Sequence, residues 1–168
     1  MRVLSVSEQA CVRAAEGWLE LGNWQEARAE LDGIQPQWRE HPVVLCMRWN
    51  VHAAAGEWEQ ATVVARKLAQ LVPQIPVGWI QLAHALHALN RTEEARNTLL
   101  PVVNRFPGEA LMRYKLACYD CRLGRLQEAE QWLESALALD DSSEVAKIAL
   151  QDPELKPLWL ARAQTKKS

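Results

Sequence analysis

The sequence predicts an all-α fold built as a row of helical hairpins, and three observations predict it. Four short stretches, GNWQEA from Gly22, GEWEQA from Gly56, NRTEEA from Asn90 and GRLQEA from Gly124, start 34 residues apart with no insertion between them. Each opens on Gly or Asn, the residues that best tolerate the left-handed backbone needed to end one helix and restart another. Behind each comes a small residue and then mostly larger apolar ones at helical spacing. These are Ala27, Leu31 and Ile34, then Ala61, Ala65 and Leu68, then Ala95, Leu99 and Val102, and last Ala129, Leu133 and Ala136.

A period of this length, with a Gly-containing turn and a small residue five positions later, resembles the tetratricopeptide repeat, a helix-turn-helix unit of about 34 residues. The resemblance covers residues 8–141. It implies a right-handed α-solenoid of four repeats with C-terminal capping helices, all in one domain. Residues 1–7 are then a short extended lead-in, 8–41 the first repeat, 42–75 the second, 76–109 the third, 110–141 the fourth, and 142–168 the cap and tail.

In the second repeat, Arg48 and Trp49 stand where the family usually has Leu and a small residue, and His52 replaces a large apolar residue. A Trp at a close helix approach calls for a wider local spacing, since overpacking an unchanged gap costs about 1–3 kcal/mol. The third repeat matches the family pattern best, through Trp79, Leu82, Ala83, Leu86, Ala95, Leu99 and Pro107. Pro73 and Pro107 are expected to stop the second helix of their repeats. In the fourth, Asp120 occupies the place of His52. Beyond Asp141 the period is expected to end. SSEVAKIAL reads as a short helix capped by Ser142 or Ser143, and DPELKPLWLARAQ as another with Asp152 as cap and Pro153 at its first position. Ile148, Leu150, Leu155 and Trp159 are the residues expected to cover the open end of the array.

Composition narrows the function. The chain has 168 residues and a formal charge of −2, with acids and bases interspersed, so it carries no electrostatic footprint for nucleic acid or an anionic membrane. No apolar run approaches the ~20 residues of a membrane span. The opening residues do not read as a secretory signal. Four cysteines without a disulfide-like density suggest a reducing compartment, and the expected location is the cytoplasm. HExxH, GxSxG and phosphate-cradling glycine motifs are absent, so an enzyme is not expected. The eight tryptophans are mostly core material; Trp24 and Trp58 fall at packing places where a second helix begins.

The resemblance implies a protein-interaction module, an adaptor, scaffold or co-chaperone-like protein holding a peptide in a concave groove lined by the first helix of each repeat. Carried onto this chain, the groove places favoured for contact are Met47, Asn50, Ile80, Gln81, His84, Tyr114, Lys115 and Arg122, with Arg13 and Glu16 extending the surface. The family's carboxylate clamp is only partly present. Asn50, Gln81 and Lys115 occupy three of its five places, but Cys46 and Leu111 replace two lysines. The mixed lining suits an apolar or amphipathic segment better than an acidic tail.

A second reading concerns metal. His84 and His87 on one helix, and Cys118 and Cys121 at the same places of the next repeat, form two i, i+3 pairs on adjacent helices. Side chains so spaced lie ~5–6 Å apart and packed helices ~8–10 Å, so a zinc ion held by two imidazoles and two thiolates is the alternative. Plain packing is the simpler role for these side chains, and no cofactor is expected. A third reading is self-association, giving a monomer or weak homodimer.

Overall fold

The computed structural model describes residues 3–140 and 143–165. Ser142, one of the two expected caps, and the Lys166-Lys167 tail lie outside the described residues. The helices are α1 (Val6–Glu20), α2 (Trp24–Asp32), α3 (Pro42–Ala54), α4 (Trp58–Leu71), α5 (Pro76–Ala88), α6 (Thr92–Leu99), α7 (Ala110–Arg122), α8 (Leu126–Leu139), α9 (Glu144–Gln151) and α10 (Lys156–Thr165). Short 3-10 turns fall at Pro36–Trp38, Val103–Arg105 and Pro153–Leu155. The all-helical solenoid expected from the period is the fold observed.

The turn chemistry repeats with the period. Gly22, Gly56, Asn90 and Gly124 have φ of 74°, 72°, 61° and 77°. Each is followed by a residue whose amide reaches back five positions, Asn23 to Trp18, Glu57 to His52, Arg91 to Leu86 and Arg125 to Asp120, at 2.8, 2.8, 2.9 and 2.8 Å. This is the Schellman closure, which satisfies carbonyls left open at a helix end. The small residue that follows is fully buried in every case, at Ala27, Ala61, Ala95 and Ala129.

The chain divides into two compact units, Met1–Ala85 and Leu86–Ser168. In the first, Leu4, Ala27, Leu31, Ile34, Val44, Met47 and Val51 share a core, with Leu45, Leu68 and Val72 beside it. Here α5 approaches α4 so closely that a Cβ on Gly78 would stand 2.7 Å from the Ala69 nitrogen. In the second, Met112, Leu116, Leu133, Leu155 and Leu158 are buried to 1 % exposure or less.

The polar departures from the family pattern have a structural reason. In the first unit, His52 Nδ1 meets Glu57 at 2.7 Å and Arg28 donates to the same carboxylate at 2.6 Å. Their hydrogen bonds, His52's first, hold the Glu57 carboxyl below its usual range. In the second unit, fully buried Asp120 accepts from Arg96 at 2.6 Å with Arg125 at 3.7 Å. An arginine of one hairpin thus ties to the next, and the apolar place becomes polar to receive it. Trp49 is accommodated as part of an aromatic cluster, its ring 5.5 Å from His84, which stacks on Trp58 at 5.6 Å.

Several boundaries differ from the sequence expectation. Pro101, not Pro107, lies just beyond the end of α6, leaving it eight residues long. Helix α9 begins at Glu144, in phase with α3, α5 and α7, so the period outlasts Asp141. The Asp140 carboxylate caps it, accepting from Val145 and Ala146 at 2.7 and 3.3 Å, while Ser143 sits at φ 60° with no capping bond. The cap is covered inward by Val145, Ala149, Leu155 and Leu158, whereas Ile148 and Leu150 are 49 % and 75 % exposed. The i, i+4 pair of Val145 and Ala149 sets which side of α9 faces in, and this turns Ile148 and Leu150 outward. Asp152 does cap the next segment, accepting from Glu154 at 2.9 Å, but Pro153 begins a 3-10 turn before α10.

Candidate functional site

Two faces of the molecule use the same repeat places and differ in what lies over them. In the first unit, an open cleft of about 420 Å³ runs between α1 and α3, lined by Glu16, Leu19, Glu20, Met47, Trp49 and Asn50, with Ala53 and Ala54 at its end. The geometry follows from helical periodicity: Leu19 with Glu16, and Met47 with Asn50, lie three residues apart and so share a face. Met47 and Trp49 form an apolar floor, each 8 % exposed, and the carboxylates of exposed Glu16 and Glu20 stand along one side. The indole Nε1 of Trp49 is buried and has no hydrogen-bond partner among the described residues. Gln81 in the same unit is also buried, with its Oε1 likewise unpartnered. Buried polar atoms of this kind are uncommon, because each one left unmade costs about 1–3 kcal/mol.

In the second unit the corresponding places are closed. Tyr114, expected at an open groove, is 2 % exposed, and its hydroxyl donates to Asp152. Cys118, buried to 1 %, donates to the same carboxylate at 3.6 Å. The reason is the chain itself: the Pro153–Leu155 turn lies on α7 and seals these side chains beneath it. Burial is the main cause that pushes the Tyr114 hydroxyl and the Cys118 thiol well above their usual ranges and raises the Cys121 thiol. Lys115 remains half-exposed with its ammonium 5.8 Å over the Tyr114 ring. Arg122 is exposed and lines a different depression, with Asn90, Thr92 and Glu94.

The histidines part company. His84 is held by the two tryptophans of the first unit. His87 places Nδ1 2.9 Å from Thr92 Oγ1 and Nε2 against the Glu154 carboxylate, with its ring 4.9 Å from Tyr119. Among the described residues, the donor atoms that converge are those of Cys118, Asp152 and Glu154, all within 4.8 Å of one another; His84, His87 and Cys121 are not in the group. The sequence reading missed both acids as site residues, because Asp152 already had a role as a helix cap. Ile80 is half-buried on α5.

Residues 52–118 match the family model described as tetratricopeptide repeat. No curated protein matches the chain significantly. Among solved structures, a thermophilic tetratricopeptide-repeat protein of Thermus thermophilus is similar with a TM-score of 0.73 at 22 % identity, over 94 % of this chain and 89 % of that one. MamA residues 41 to the end, from Desulfovibrio magneticus RS-1, is similar with a TM-score of 0.71 at 18 % identity, over 98 % and 94 %. At these identities the likeness is one of fold. Such repeats generally mediate contacts between proteins and are typically scaffolds without catalysis of their own, and no described helix is long and apolar enough to cross a membrane. Residues 52–118 thus carry the tetratricopeptide-repeat signature, within a chain whose fold is similar to that of a solved tetratricopeptide-repeat protein.

Proposed function

We propose that this protein is a peptide-binding adaptor or scaffold whose cleft between α1 and α3 takes an amphipathic segment of a partner protein. The observation that supports this most directly is the cleft's composition. Leu19, Met47 and Trp49 offer apolar contact, and Glu16 and Glu20 offer negative charge. The complementary ligand has apolar side chains and a basic group beside the two carboxylates. An acidic tail is disfavoured by the same two carboxylates. The four free cysteines fit a reducing compartment, and we place the module in the cytoplasm.

A random-peptide display selection on the full chain tests this. Enrichment of sequences with a Lys or Arg among apolar residues is expected, with binding lost in Met47→Glu and weakened in Glu16→Lys. Enriched peptides that bind both variants as well as the wild type would place the site elsewhere.

A further inference from the structure

We propose a metal site beneath the C-terminal cap, in which Cys118, Asp152, Glu154 and His87 hold one zinc-like dication and so fasten the Pro153–Leu155 turn to α7. It stands apart from the peptide-binding reading. Three donor atoms, the Cys118 sulfur and one oxygen each from Asp152 and Glu154, already lie within 4.8 Å of one another. Zinc bonds of ~2.0–2.3 Å set tetrahedral ligand atoms roughly 3.3–3.8 Å apart, so small side-chain rotations complete the set. His87 lies outside that group of three and meets it through Glu154, and a swing of its ring toward the sulfur makes it the fourth donor. In the metal-free chain Nε2–H donates to the Glu154 carboxylate; ligation takes the other tautomer, in which Nδ1–H donates to Thr92 Oγ1 and the Nε2 lone pair is free for the metal. A second-nitrogen anchor of this type is how ligating imidazoles are oriented.

Two further features point to a ligand. Between an imidazole nitrogen and a carboxylate, something positive has to sit, and a metal can replace the proton. Tyr119 is 1 % exposed, and its hydroxyl has no hydrogen-bond partner among the described residues. Its ring packs on His87, with the ring centroids 4.9 Å apart. An unpaired buried hydroxyl on a ring packed against His87 suits hydrogen bonding to a metal-bound group.

One thiolate, one imidazole and two carboxylates are a zinc or cobalt set; calcium and magnesium take oxygen alone. On binding, the Cys118 thiol releases its proton to solvent as the metal–sulfur bond forms. The charge sums to −1 with His87 neutral, and the Lys115 ammonium stands 5.8 Å over the ring of Tyr114, whose hydroxyl meets Asp152.

The test is a cobalt(II) titration of the chelator-treated full chain, followed by displacement with zinc. Saturation at about one ion per chain is expected, with a near-ultraviolet thiolate-to-cobalt charge-transfer band. That band is expected to survive Cys121→Ser, vanish in Cys118→Ser, and need at least about tenfold more cobalt in Asp152→Asn. Circular dichroism on each variant separates ligand loss from unfolding, and the wild-type titration decides the matter if Cys118→Ser fails to fold. A wild type without the band overturns the site. So does a band lost in Cys121→Ser as completely as in Cys118→Ser, which would select the His84, His87, Cys118, Cys121 set instead.

Discussion

The face of α3 and the face of α7 are the same structural place 68 residues apart, and they have opposite fates. Asn50 and Ala53 line an open cleft and Cys46 is half-buried, whereas Tyr114, Cys118 and Cys121 are buried. What separates them is the segment after Gln151, which turns back over α7 and brings two carboxylates onto it. A groove position in a repeat array is therefore defined by what the rest of the chain lays across it, and not by its register alone. The polar ties differ in the same direction. The Arg28–Glu57–His52 cluster is partly exposed, and Arg96–Asp120 is centred on a fully buried carboxylate.

That contrast can be pressed at both ties. Asp120→Ala leaves Arg96 without its buried partner and is expected to cost about 4 kcal/mol, read by chemical denaturation. Leu155→Ala, which hollows the buried turn over α7, is expected to cost about 3 kcal/mol and to raise Cys118 reactivity toward a thiol reagent. If Leu155→Ala left Cys118 as unreactive as before, the covered-face account would fail. Gly78→Ala forces a Cβ into the Ala69 backbone of the first unit and is expected to cost about 2 kcal/mol by the same assay.

The smallest effect belongs to the exposed tie. The Glu57 carboxyl is held below its ordinary value of 4.5 in the folded chain, so its contribution is complete above that value. It is lost as pH falls through the lower folded-state value. Glu57→Gln is expected to flatten the pH dependence of the melting temperature in that acidic window while changing neutral stability less than Asp120→Ala does.

The sequence by itself determined the period, the turn residues and the small buried residue of each hairpin. These are local: a left-handed residue and a helical spacing of apolar side chains act within a single hairpin. They were legible at Gly22, Gly56, Asn90 and Gly124, and at Ala27, Ala61, Ala95 and Ala129. Met47 and Asn50 were legible as cleft residues for the same reason, since register alone placed them. Tertiary structure decided the rest. Whether His52 and Asp120 were defects depended on Arg28 and Arg96, 24 residues earlier in each case. Whether Tyr114 met a partner or its own chain depended on Asp152, 38 residues later. Such contacts follow from how the folded segments come together, and no spacing within one hairpin encodes them.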